Sequence, residues 1–85
     1  MSFLDRFKPQ PRWKHQDASI RAAAVAEIPD DHEHRTVIEE LAASDPDARV
    51  RNAAVDRVGD VAVLARLARV EQDPELRRRL TDRLM

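Results

Sequence analysis

Apolar residues recur along this chain at helical steps. Ile20, Ala23, Ala24, Val25 and Ile28 are followed thirty positions later by Val50, Ala53, Ala54, Val55 and Val58. A third set, Leu76, Leu80 and Leu84, keeps the spacing. Steps of three, four and eight put such side chains on one helical stripe. Two further apolar stretches, Thr36 to Ala42 and Val61 to Val70, lie between these sets. The pattern predicts helices near 17–28, 31–43, 46–58, 60–71 and 74–84. A short helix at 2–8 and a proline-containing connection at 9–14 precede them. Loops this short make successive helices antiparallel. No single hairpin can hide its own stripe, so hairpins must stack side by side.

Boundary residues support this division. Pro29 closes one helix. Asp30-Asp31-His32-Glu33 resembles a capping box at the start of the next. Asp60 starts another, and Gly59 before it suits a left-handed helix end. Asp45-Pro46 and Asp73-Pro74 each read as an N-cap followed by a first-turn proline.

The sets belong to an internal repeat. Asp17-Ala18-Ser19-Ile20-Arg21 returns as Asp47-Ala48-Arg49-Val50-Arg51 and again as Asp73-Pro74-Glu75-Leu76-Arg77. In the third copy Arg79 replaces Ala23 and Ala53, which makes that copy more polar, as suits an end cap. Asp45-Pro46-Asp47-Ala48-Arg49-Val50-Arg51, followed by Ala53-Ala54 and Val58, resembles the second-helix signature of HEAT repeats, of the bacterial HEAT-like type. The resemblance implies an all-α fold, a short right-handed α-solenoid of antiparallel hairpins. It divides the chain into a degenerate first unit at 1–28, a second at 31–58 and a capping unit at 60–85. It also implies a ladder between repeats, with Asp45 and Arg51 as its acid and arginine. Arg21 and Arg77 take the arginine place in the other copies, and His15 stands where Arg21's copy should have an acid. Proteins of this family are mostly scaffolds that bind partners on the concave face of their second helices. The longer chains and aromatic clefts of its glycosylase and lyase members have no counterpart here.

Composition narrows the chemistry. At 85 residues this is one small domain. It has no cysteine, so disulfides, thiolate metal sites and a thiol nucleophile are excluded. The N-terminal residues lack a signal-peptide core, and no apolar run approaches the roughly 20 residues of a membrane span. These features predict a soluble cytoplasmic protein. Charge is uneven: +3 over 1–16, −6 over 17–65 and +2 over 66–85. Basic ends around an acidic middle do not make a continuous nucleic-acid track.

The candidate chemical motifs are weak. His32 and His34 diverge on a helix, and no third ligand joins them to hold zinc. Capping accounts for Asp30 and Asp31, and a single glycine permits no phosphate loop. We therefore expect no enzyme activity, no metal and no cofactor. Phe3, Leu4 and Phe7, with Trp13, read as a plug over the first helix rather than a membrane-surface element. An apolar flank at Val61 or Ala65 would support a dimer. Stepping outward from the repeat anchors gives three rows on the concave face: Ser19, Ala22, Ala26; Arg49, Asn52, Asp56; and Glu75, Arg78, Asp82. Of these, Arg49, Asn52, Asp56, Arg78 and Asp82 are the expected contacts for a protein partner. The alternative is nucleic-acid phosphate held by Arg77, Arg78, Arg79 and Arg83.

Overall fold

A computed structural model describes residues 10–85; the predicted helix at 2–8 and the Phe3, Leu4 and Phe7 part of the plug lie outside it. The described residues form five α-helices and no strand: α1 (Ala18–Ala24), α2 (His32–Ser44), α3 (Ala48–Val55), α4 (Val61–Val70) and α5 (Pro74–Leu84). Short 3-10 turns occupy Arg12–Lys14 and Val25–Glu27. No helix among the described residues is long and apolar enough to cross a membrane.

Aspartate starts every one of the five helices. The side chains of Asp17, Asp31, Asp47, Asp60 and Asp73 each accept from backbone N–H groups of the first turn. These donors lack an intrahelical partner, and a carboxylate at the positive end of the helix dipole satisfies them. Two expectations are corrected here. The cap of α2 is Asp31, whose Oδ1 takes the N–H of His34 at 2.8 Å, so Glu33 completes no box with Asp30. The cap of α3 is Asp47, not Asp45, and Pro46 lies before the helix. Asp73-Pro74 does form an N-cap with proline in the first turn.

Helix ends also differ from the simple pattern. Residues 17–28 do not form one α-helix. At Val25 the chain tightens into a 3-10 turn, with Ile28 N–H bonded to Val25 C=O at 3.2 Å. Ile28 is extended, as a residue before proline must be. Likewise α3 stops at Val55, and Val58 N–H reaches back only to Val55 C=O at 3.0 Å. Gly59 has no positive φ, so it is not a left-handed cap.

The helices pack α1 on α3 and α3 on α5, while α2 lies on α3, α4 on α5 and α2 touches α4. The core combines Val25 and Ile28, Ile38 and Ala42, Val50, Ala54, Val55 and Val58, then Leu64, Leu67, Leu76 and Leu80. Ala24 and Ala54 are fully buried, and Leu80 fills the matching place in α5. A small residue there admits a close neighbour, and the larger leucine suits a helix with fewer neighbours. Trp13 packs against this core, edge-on to His34 at a centroid distance of 6.0 Å.

Candidate interaction surface

Aligning the copies on their arginines pairs Arg21, Arg51 and Arg77. Six residues upstream of each stand His15, Asp45 and Glu71. The structure uses these positions alike. Each guanidinium donates to the backbone carbonyl six residues upstream: Arg21 to His15 at 2.9 Å, Arg51 to Asp45 at 2.8 Å and Arg77 to Glu71 at 3.0 Å. Each upstream side chain accepts the N–H two residues on, at 2.9–3.0 Å, which fixes the turn into α1, α3 or α5.

Two rungs then bridge neighbouring units. Nε and Nη2 of Arg21 reach the Asp45 carboxylate at 3.0 and 3.1 Å. Nε and Nη2 of Arg51 reach the Glu71 carboxylate at 3.1 and 2.9 Å. Asp45 and Glu71 are the two buried charged residues among those described. Burial of a carboxylate is tolerated because a planar guanidinium fork meets it. Hydrogen bonding to these carboxylates is also the main cause that raises the pKa of Arg21 and of Arg51. Glu71 was not among the expected ladder residues. The six-residue offset from Arg77 would have found it, whereas the Asp-Pro match directed attention to Asp73.

A second set of bridges runs along the helix ends. Arg57 donates to the Val25 carbonyl at 2.7 Å, and Arg83 to the carbonyls of Val55 and Val58 at 2.5 Å each. Carbonyls at a helix C-terminus carry the negative end of the dipole and keep a lone pair beyond any local N–H bond, so a guanidinium suits them.

The outer rows are partly occupied by the chain itself. Arg49 forks onto Asp47 and reaches Ser19 Oγ at 3.1 Å. That fork is the largest cause holding the Asp47 carboxyl at about 2. Asn52 and Asp56 both accept from Arg79, whose bond to Asp56 measures 2.5 Å. The sequence marks Arg79 as a polar cap residue and a candidate phosphate contact; the structure shows that it ties α5 to α3. Arg78 and Asp82 are exposed and make no side-chain hydrogen bond among the described residues.

No family model, no curated protein and no solved structure matches this chain.

The geometry constrains the chemistry that this surface can perform. Of the four C-terminal arginines, Arg77, Arg79 and Arg83 all donate to protein acceptors, and Arg78 alone makes no side-chain hydrogen bond among the described residues. His34 Nδ1 lies 2.7 Å from Asp31 Oδ1, a capping contact, and His32 is exposed on the same first turn. Among the described residues no group of three potential metal ligands occurs. A groove of about 360 Å³ between Asp30, Arg35, Glu39, Arg57 and Asp60 carries both signs of charge. Its Arg57 is committed to the Val25 carbonyl. Val61 is 65% exposed, while Ala65 is half-buried.

Proposed function

We propose that this chain is a non-catalytic protein-interaction module, a short right-handed solenoid of HEAT-like hairpins in three units. One observation carries the reading. The helices α1, α3 and α5 pack in a row, and their outer positions are polar or small rather than apolar. Arg49 to Ser19 joins the first two rows, and Arg79 of α5 ties that helix to Asn52 in the second. A stiff polar surface of this kind loses little conformational entropy when a partner docks. Cationic Arg49 and Arg78 alternate with anionic Asp56 and Asp82, so the partner must present mixed charge.

Affinity capture with the wild-type chain and with Arg49→Glu and Arg78→Glu tests this. The reversals are expected to release specifically captured proteins while far-UV circular dichroism stays unchanged. Retention of every captured protein by the doubly reversed chain overturns the assignment of this face. Binding to random-sequence DNA that weakens steeply with salt would instead support the phosphate reading.

A further inference from the structure

We propose that Arg77 is a seat for a carboxylate on an acidic peptide segment of a protein partner. It would use the fork by which Arg21 holds Asp45 and Arg51 holds Glu71. This seat is separate from the concave rows and does not depend on them.

Both filled forks divide the guanidinium in one way. Nη1 holds the carbonyl six residues upstream, and Nε with Nη2 spans the two carboxylate oxygens of the next unit. Arg77 has the same upstream carbonyl within reach, but it spends Nε on it, at 3.0 Å. Its Nη1 and Nη2 make no hydrogen bond among the described residues, and the residue is exposed. A modest roll of the guanidinium would move the carbonyl bond to Nη1 and free the Nε–Nη2 edge. That edge matches a carboxylate in spacing and in donor direction.

The surroundings select the occupant. Where α1 and α3 end at buried Val25 and Val55, α5 carries exposed Thr81, and Arg77 and Arg78 are exposed beside it. This end of the row therefore offers an open, cationic surface, suited to a charged peptide group rather than an apolar helix. Neighbouring Arg78 adds positive charge. At the opposite end the corresponding groups are absent. His15 occupies the acid position, and Glu27 occupies the place of Arg57 and Arg83, where it pairs with Arg12 at 2.6 Å.

The test uses the full ¹⁵N-labelled chain and a blocked hexapeptide, Val-Glu-Gln-Asp-Pro-Glu, which copies residues 70–75. Its first Glu corresponds to the one that Arg51 holds. The expected result is a saturable shift of the backbone amide resonances around residue 77, which every variant retains, with Kd in the range of tens of millimolar, the fork supplying about fivefold of that affinity. Binding should weaken about fivefold when that Glu is replaced by Gln, and equally in Arg77→Lys, which keeps the charge but loses the fork. Arg78→Gln and Arg49→Glu should leave it within about twofold, which separates this seat from the concave face. No shift, an equal shift with the Gln peptide, or an equal loss in Arg78→Gln would overturn the proposal.

Discussion

Replacing Arg51 with methionine removes a guanidinium and keeps its unbranched stem. The pair it breaks is largely sheltered: the Glu71 side chain is 4% exposed and that of Arg51 15%. In the substituted chain the Glu71 carboxylate keeps only the Asp73 N–H, at 3.0 Å, among the bonds described. The Asp45 carbonyl also loses its 2.8 Å donor. Removing one member of a fully buried pair costs about 3–5 kcal/mol, because the other charge is left unpartnered. Arg51 borders solvent, so water can reach the orphaned carboxylate, and the expected loss falls to about 2–3 kcal/mol.

For a domain of this size that loss lowers Tm by about 10–20 °C. Glu71→Gln keeps a hydrogen-bonding side chain of the same shape and should cost only about 1 kcal/mol. In Arg51→Met with Glu71→Met, neither charge remains, and the double variant should recover about 1.5–2 kcal/mol relative to the sum of the Arg51→Met and Glu71→Met single variants. Urea denaturation followed by circular dichroism measures all four corners of this cycle. A loss below about 0.5 kcal/mol in Arg51→Met, or a coupling indistinguishable from zero, would refute the claim that this fork holds neighbouring units together.

Three other outcomes follow from the same structure. Leu80→Ala deletes a fully buried side chain between α5 and its neighbours and should cost about 3 kcal/mol in urea denaturation. At Gly59 φ is negative and an added Cβ meets nothing within 4 Å. Gly59→Ala should therefore stabilise by about 0.4–1 kcal/mol through the unfolded chain, read as a higher urea midpoint. The Asp47 carboxyl is held at about 2, below the ordinary aspartate value of 3.8, first by the Arg49 side chain and next by the Arg49 N–H. Such a group stabilises the fold above its unfolded pKa and ceases to do so as pH falls through its folded value. Asp17 is lowered first by the Ser19 N–H, and Asp31 first by the His34 side chain. Stability should thus decline from about pH 4 to about pH 2, less steeply in Asp47→Asn, as followed by denaturation at fixed pH.

The helices were legible because their signals are local. Apolar steps and capping aspartates act within one turn, and they place five helices close to where they form. What local pattern missed was register. Asp45-Pro46 and Asp73-Pro74 look alike, yet Asp45 aligns with Glu71 and Asp73 with Asp47. Asp45 is unavailable as a cap because its carboxylate is engaged by Arg21, 24 residues earlier. Only a tertiary contact decides that competition. Arg79 was missed for the same reason. Its partners, Asn52 and Asp56, belong to a helix that its own sequence neighbourhood does not reveal.

The two sets of arginine bridges impose a constraint that apolar packing cannot. Stripes of alanine, valine and leucine are non-directional, and one helix could slide a turn along another at modest cost. At the N-terminal ends, Arg21 and Arg51 donate forward to Asp45 and Glu71. At the C-terminal ends, Arg57 and Arg83 donate backward to the carbonyls of Val25, Val55 and Val58. A slide of one turn, about 5.4 Å, would break both sets together and leave buried Asp45 and Glu71 without their guanidinium partners. The cores would tolerate that slide, while the buried carboxylates would not. The arginines thus select one register among several that hydrophobic burial alone would accept, at the cost of two buried charges that contribute little to burial energy.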